Sequence, residues 1–233
     1  MRRNHAMPLA RGGRQTMGLG RCAAALGISW LALVAATAPP PIEDGVLTEI
    51  NYVRTHPHEY ADELRRYRDF FDGRVLHLPG DEVGVMTREG TVAVDEAISF
   101  LDRQAPLQPL DFGEVLALAA RDLADEQGET GNTGHRSANG QSPGQRVKRR
   151  GGDIFVGETI SYGYDTPDAV VRQLVIDDGV PGRGHRSLVF AADSRYAGVG
   201  CGRHPRDGFL CVIDYSTTPN GAPALPKFIA ARR

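Results

Sequence analysis

Two apolar runs near the end of the chain, residues 196–202 and 209–215, constrain its fold more than any other feature. The Pro-Arg-Asp-Gly sequence at 205–208 between them is typical of a turn, so the runs predict an antiparallel β-hairpin. Cys201 and Cys211 lie at equal distances from the centre of this turn. Antiparallel pairing therefore places the two cysteines opposite each other, where a cross-strand disulfide is geometrically reasonable.

The segments before the hairpin have the apolar periodicity of helices. Leu47, Ile50 and Val53, for example, share one helical face. Asp111 is a predicted N-cap with Glu114 as its capping-box partner, and Ser142 followed by proline predicts another helix start. The predicted helices cover about 44–55, 60–64, 91–103, 111–127, 142–150 and 166–176.

Two shorter segments complete the predicted fold. Residues 68–88 contain three glycines, a proline and no sustained period, so we expect a surface insertion with a short extended piece at 74–78. The apolar run 154–156 predicts a short strand. Helices followed by a hairpin, with one further strand, predict an α+β fold in which helices pack over a small antiparallel sheet.

The first 38 residues have the pattern of a secretory signal peptide. Five arginines and no acidic residue precede an apolar run at 23–38 that ends in small residues. This run is shorter than the roughly 20 residues of a membrane span, although an uncleaved anchor is the alternative interpretation. We therefore expect a secreted or periplasmic protein without a membrane span after cleavage, in which Cys201 and Cys211 form a disulfide.

The charge balance excludes one class of partner. The leader holds five of the 27 basic residues and none of the 29 acidic ones, which leaves 22 basic residues and a formal net charge of −7 after cleavage. Nucleic-acid binding requires a basic patch, so we expect no nucleic acid. A partial glycine fingerprint at 18–23 lies inside the leader, and no nucleotide cofactor is expected.

Titratable residues concentrate in the segment 177–187, which contains Asp177, Asp178 and His185 together with three glycines and a proline. Such a composition between apolar segments is typical of a functional loop. His135 lies in a similar loop after a glycine, and Glu158 also follows a glycine. We expect these segments to converge on one site.

Six short motifs that occur in a fixed order resemble those of a known family. They are Leu47-x-x-Ile50-Asn51-x-x-Arg54, Gly134-His135-Arg136-Ser137, Ser142-Pro143-x-x-Arg146, Gly157-Glu158-Thr159-Ile160, Gly184-His185-Arg186 and Ala197-Gly198-Val199-Gly200-Cys201. The set resembles the CAP superfamily of cysteine-rich secretory, antigen 5 and pathogenesis-related proteins, in its bacterial secreted branch. The resemblance covers about residues 43–216, the SCP domain, and leaves 217–233 as a tail. It implies an α-β-α sandwich.

The resemblance also implies a cavity lined by two histidines and two acidic residues. His135 and His185 match the histidines, and Glu158 matches the acid of the Gly-Glu motif. The family's second acid lies three residues after a tryptophan, whose place Leu174 takes here. Asp177 then occupies the acidic position, with Asp178 as the alternative after a shift of one residue.

The residue types of this cavity allow two kinds of chemistry. Imidazole nitrogens and carboxylate oxygens suit a divalent metal such as zinc, and two histidines with water would leave an open coordination position. A carboxylate behind each histidine would fix its tautomer. The same residues equally suit hydrogen-bonded pairs that tie loops together around a polar core.

Three functions follow from these alternatives. The first is a secreted CAP protein whose cavity binds a ligand, with His135 and His185 holding a divalent metal. The second is a cell-envelope hydrolase in which Glu158 or Asp177 acts as general base on a metal-bound water. The third is a structural or interaction module that meets an extracellular partner. We favour a function without catalysis.

Other catalytic signatures are missing from the sequence. It has no Gly-x-Ser-x-Gly elbow, no His-Glu-x-x-His and no Cys-x-x-Cys. Ser137 and Ser187 each lie two residues after a histidine, which leaves a serine hydrolase open. The other histidines of the domain are expected at the surface: His56, His58, His77 and His204.

Overall fold

The central sheet of the protein has four strands in a computed structural model that describes residues 41–80 and 82–224. The predicted signal peptide and most of the predicted tail lie outside these residues. The helices are α1 Ile42–Thr55, α2 Pro57–Arg68, α3 Thr91–Leu101, α4 Glu114–Thr130, α5 Pro143–Arg149, α6 Pro167–Ile176 and α7 Gly184–Val189. The strands are β1 Phe71–Asp72, β2 Val75–Leu76, β3 Val85–Met86, β4 Asp111–Phe112, β5 Gly157–Tyr162, β6 Tyr196–His204 and β7 Gly208–Ser216. The central sheet has the strand order β4-β6-β7-β5.

The predicted hairpin is confirmed. Strands β6 and β7 pair antiparallel, with Cys201 opposite Cys211, and a disulfide joins these two residues. Strand β5 extends the sheet antiparallel to β7.

Helices cover both faces of this sheet. Because successive residues of a strand point to opposite faces, Ile213 and Tyr215 of β7 enter a core shared with α1, α2, α3 and α6. Leu210 and Val212 point the other way and pack against Leu123 on α4. The predicted α+β fold, an α-β-α sandwich, is therefore confirmed.

Two glycines of β6 allow α4 to lie very close to the sheet. A methyl group at Gly198 would overlap the backbone nitrogen of Ala117, and one at Gly200 would overlap that of Arg121. The Gly-Val-Gly pattern of β6 thus fixes the distance at which α4 covers the sheet.

The predicted start of α4 is wrong. Asp111 does not cap a helix, because Asp111 and Phe112 form β4, which pairs parallel with β6. Helix α4 begins at Glu114 after Gly113, and no side chain caps it. A capping box occurs instead at α5, where Ser142 accepts a hydrogen bond from the backbone N–H of Gln145 and the Gln145 side chain accepts one from the N–H of Ser142.

Two further segments differ from the prediction. The insertion contains three two-residue strands in an antiparallel sheet of order β1-β2-β3, rather than one extended piece at 74–78. The strand predicted at 154–156 begins only at Gly157, because β7 pairs with β5 from that residue onward. Among the described residues, no helix is both long and apolar enough to cross a membrane.

Candidate functional site

The first predicted histidine is paired with the first predicted acid. The Nδ1 atom of His135 lies 2.9 Å from Oε1 of Glu158 on β5. The Glu158 side chain is only 1% exposed, whereas that of His135 is 50% exposed. The pair therefore has a buried carboxylate and an imidazole that reaches solvent.

Arg146 on α5 completes this pair. Its buried guanidinium forms an ion pair with the second Glu158 oxygen, Oε2, and donates a hydrogen bond of 3.0 Å to the carbonyl oxygen of His135. One arginine thus fixes both the carboxylate and the backbone of the histidine that the carboxylate orients.

A second acid, which the sequence did not reveal, lies beside Glu158. Asp214 pairs with Glu158 across β5 and β7 and is completely buried. Neither of its carboxylate oxygens has a hydrogen-bonding partner among the described residues. Burial, followed by the negative charge of Glu158, raises the pKa of Asp214 well above its ordinary value. We infer a protonated Asp214, which leaves Arg146 and Glu158 as a charge-neutral pair.

The second predicted histidine is paired with Asp177. The Oδ1 atom of Asp177 lies 2.7 Å from Nδ1 of His185, and Oδ2 accepts the backbone N–H groups of His185 at 2.9 Å and Arg186 at 3.3 Å. Asp177 adopts the left-handed conformation, with φ of 59°, at the C-terminus of α6. The buried carboxylate therefore joins the end of α6 to the first turn of α7, and the His185 side chain remains 19% exposed.

Asp178 points elsewhere. Its carboxylate accepts the backbone N–H groups of Arg88 at 2.7 Å and Glu89 at 2.8 Å, just before α3. Of the two acids that the sequence left as alternatives, Asp177 is the one that contacts His185.

An ion-pair cluster holds the loop between Asp177 and His185 against α3. Arg183 donates hydrogen bonds to Glu89 at 2.7 Å and to Glu96 at 2.6 Å. The hydrogen bond from Arg183, followed by one from the N–H of Gly179, lowers the pKa of Glu89 to about 2. The position of His185 thus depends on residues at the end of the insertion.

Both histidine–carboxylate pairs adjoin strand β5. Helix α7, which begins next to His185, contacts β5. A Cβ placed on Gly157 would lie 2.6 Å from the Leu188 side chain, so α7 packs directly over the residue before Glu158. Helix α7 and the strand that carries Glu158 therefore meet at the edge of the sheet.

The two imidazoles have the chemistry of metal ligands, but they provide only two ligand atoms. Neither Nε2 atom has a hydrogen-bonding partner among the described residues. An imidazole whose other nitrogen faces a carboxylate is the usual arrangement of a metal-binding histidine. Structural zinc sites, however, use four protein ligands, and no group of three or more His, Cys, Asp or Glu in 41–80 and 82–224 is placed to hold a metal.

His204 is not at the surface, so that prediction is wrong. It is buried, and its Nε2 lies 3.0 Å from the carbonyl oxygen of Asn132. Gln127 donates to the carbonyl of Gly134 at 2.6 Å, and the hydroxyl of Tyr162 accepts the N–H of Gly134 at 2.8 Å. These contacts hold the loop that leads into His135. His56, His58 and His77 are exposed as predicted.

Two solved structures show distant similarity to the chain. An extracellular protein from Bacillus anthracis str. Ames that contains an SCP domain is 18% identical, with a TM-score of 0.40, over 54% of this chain and 39% of that one. The chain thus spans about two-fifths of the length of the Bacillus protein. BmVAL-1 is 12% identical, with a TM-score of 0.35, over 80% of this chain and 82% of that one. No curated protein matches significantly.

The family model of the cysteine-rich secretory proteins matches residues 47–215. This range contains both histidine–carboxylate pairs, the sheet and the disulfide, and it covers more than half of the chain. The protein belongs to the CAP, or cysteine-rich secretory protein, family.

Proposed function

We propose that the protein is an exported, non-catalytic CAP protein that binds a ligand through the Nε2 atoms of His135 and His185. A divalent metal such as zinc is the simplest such ligand. The observation that carries the proposal is the contact of each Nδ1 with a buried carboxylate. A carboxylate at Nδ1 favours the tautomer with its proton there, so Nε2 presents a lone pair outward.

Exposure of the imidazoles favours ligand binding over a purely structural role. A histidine that only ties loops together is expected to be enclosed, as His204 is. The side chain of His135 is instead half exposed, although its carboxylate partner is buried. This asymmetry supports an imidazole whose Nδ1 is held by the carboxylate and whose exposed Nε2 is available to a ligand.

The hydrolase alternative has weaker support. Both oxygens of Glu158 contact His135 or Arg146, and both oxygens of Asp177 contact His185 or the start of α7. These carboxylates orient neighbouring groups, whereas a general base needs access to a reacting proton. The hydroxyl of Ser187 donates to the carbonyl oxygen of Arg183, which gives no support to a serine nucleophile.

Export is supported by two features of the chain. The leader at 1–38 has the composition of a signal peptide. The Cys201–Cys211 disulfide is typical of oxidising compartments outside the cytosol.

Calorimetric titration of the protein with zinc tests the metal-binding proposal. We expect saturable heat with the unsubstituted protein and none with the His135→Ala/His185→Ala double variant. Glu158→Gln keeps both imidazoles but removes one orienting charge, so we expect its zinc affinity to fall by roughly 10–100-fold, as loss of such partners does elsewhere.

A His58→Ala/His77→Ala variant is the matched control, because it removes two exposed imidazoles. Its titration should equal that of the unsubstituted protein. Equal heats in the two double variants would contradict binding through His135 and His185. Peptide or ester turnover that Glu158→Gln abolishes would favour the hydrolase instead.

A further inference from the structure

An open groove of about 320 Å³ lies between the start of α1 and helix α4. Strands β4 and β6 also contribute to its lining, through Phe112 and Val199. None of the residues of the two histidine–carboxylate pairs lines it. The groove is thus a surface feature separate from the proposed ligand site.

Two large apolar side chains of this groove face solvent. Phe112 of β4 is 58% exposed and Leu118 of α4 is 42% exposed, whereas Leu116 and Leu123 of the same helix are completely buried. Exposed apolar side chains that cluster around a concavity mark interaction sites more often than single exposed residues do. The groove therefore favours an occupant with apolar side chains.

The groove also has an excess of negative charge. Glu43, Asp44 and Glu114 line it, and Arg121 is the one cation among its described lining residues. Arg121 is already paired with Glu43. Asp44 and Glu114 are exposed, and neither forms an ion pair with another described residue. A cationic occupant would complement these two carboxylates.

The segment 225–233 of the same chain has the composition that this groove favours. Its sequence is Leu-Pro-Lys-Phe-Ile-Ala-Ala-Arg-Arg, with three large apolar side chains, three cations and no acidic side chain. The segment therefore matches the groove both in its apolar side chains and in the sign of its charge.

The chain leading to this segment passes one end of the groove. The carbonyl oxygen of Pro219 would lie 3.2 Å from a Cβ placed on Gly113, the residue between Phe112 and Glu114. Nine extended residues span up to about 30 Å, whereas the part of α4 from Glu114 to Arg121 is about 10 Å long. The segment 225–233 is therefore long enough to follow the whole groove.

We propose that the segment 225–233 docks into this groove of its own chain. Phe228 would pack against the exposed side chains of Phe112 and Leu118. Lys227 would face the groove carboxylates. Because a short tether gives an effective concentration in the millimolar range, docking within one chain is favoured over binding of a second copy. The docked segment would join the start of α1 to α4.

Zero-length carbodiimide cross-linking of the full chain, followed by peptide mass spectrometry, tests this proposal. Lys148 and Lys227 are the two lysines of the sequence, so an amide bond from Lys227 to a carboxylate identifies what the segment contacts. We expect Lys227 to be joined to Asp44 or Glu114 within the monomer. The leader at 1–38 contains no lysine and cannot give this product.

The Phe112→Ser/Leu118→Ser variant tests the apolar part of the contact. It should lower the yield of the Lys227 cross-link about tenfold, because loss of one well-buried apolar contact shifts an equilibrium by at least that factor. Val85→Ser/Met86→Ser is the matched control, since it removes two exposed apolar side chains that do not line the groove. Its yield should equal that of the unsubstituted protein.

Cross-links of Lys148, which is exposed on α5, measure the reactivity of each sample independently and should be equal in all three proteins. The proposal is overturned if Lys227 forms no cross-link to a groove carboxylate, or if such cross-links occur only between two chains. It is also overturned if Phe112→Ser/Leu118→Ser lowers their yield no more than the control does.

Discussion

Asp214 is an acidic residue at a position where an apolar residue would be expected. It occupies an inward-facing position of an apolar strand, where its carboxyl has no hydrogen-bonding partner among the described residues. Its neighbour Glu158 contacts Arg146 through one oxygen and His135 through the other. Protonation of Asp214 avoids a second buried negative charge beside Glu158, which would be very costly.

Asp214→Asn should therefore stabilise the protein increasingly as the pH rises. An aspartate in the unfolded chain loses its proton near pH 3.9, whereas burial raises the pKa of folded Asp214. Between these two pKa values the folded state binds one more proton than the unfolded state, so stability from this group is full at low pH and is lost on raising the pH. The gain in the free energy of unfolding should grow by about 1.4 kcal/mol per pH unit until the folded pKa is reached.

Urea denaturation at several pH values measures this gain. Asp193→Asn is the control, because it makes the same substitution at an exposed aspartate. Its difference from the unsubstituted protein should stay nearly constant with pH. If the difference in the free energy of unfolding between Asp214→Asn and the unsubstituted protein does not change with pH, Asp214 is not protonated in the folded state.

At the scale of secondary-structure elements, the packing of α4 on β6 depends on glycine. Gly198 and Gly200 lie beneath the backbone of α4, whereas Gly202 of the same strand has only one neighbouring atom, at 4.0 Å from an added Cβ. The helix also carries Gln127, which holds the loop before His135. Displacement of α4 should consequently disturb both the sheet and the site.

Gly198→Ala should destabilise the protein by about 1–3 kcal/mol or more, the range for overpacking in a closely packed core. Its methyl group would meet helix backbone, which cannot rotate away as a side chain could. Thermal unfolding followed by circular dichroism measures the effect.

Gly202→Ala is the matched control in the same strand. It should be neutral or slightly stabilising, because alanine loses less entropy on folding than glycine does. Similar losses of stability in both variants would show that strand propensity, rather than the approach of α4, determines the result.

Elements with a long periodic pattern could be predicted from the sequence, and elements that depend on distant partners could not. The apolar run at 209–215 predicts β7, and the helical face shared by Leu47 and Val53 predicts α1. The two-residue strand at Asp111 has no pattern of its own, since it exists only by pairing with β6. Its Asp-x-x-Glu sequence imitates a capping box, and sheet pairing overrides that local preference.

The same limit applies to the candidate site. His135, Glu158 and His185 stand out as polar residues in glycine-rich loops or family-like motifs. Asp214 and His204 instead lie in an apparently ordinary hairpin, and their roles arise from partners on β5 and in the loop after α4. An acid at an inward position of an apolar strand was the one available signal for Asp214.

At the scale of the whole molecule, the disulfide closes the hairpin on which the sandwich is assembled. Cys201 and Cys211 lie ten positions apart in the sequence, so the bond restricts a short loop in the unfolded chain. The Cys201→Ala/Cys211→Ala variant should lose about 2.5–3 kcal/mol of stability according to the loop-entropy relation. Chemical denaturation with and without dithiothreitol measures the loss.

Dithiothreitol itself provides the control for this prediction. It should lower the stability of the unsubstituted protein to about that of the double variant and leave the variant unchanged. A variant as stable as the oxidised protein would contradict a stabilising role of the bond.

The order of the strands also bears on when the histidine site becomes complete. The β6–β7 hairpin pairs residues that are close in sequence, so its formation requires little loop closure, whereas β5 must join β7 from a distant part of the chain. We therefore expect the hairpin to be an early folding unit and the contact between Glu158 and His135 to form late. Pulsed hydrogen exchange during refolding should protect β6 and β7 amides before those of β5, and the reverse order would refute this sequence of events. With the proposed export, a chain that is still crossing a membrane would have an incomplete histidine site, and the proposed ligand could bind only after translocation is finished.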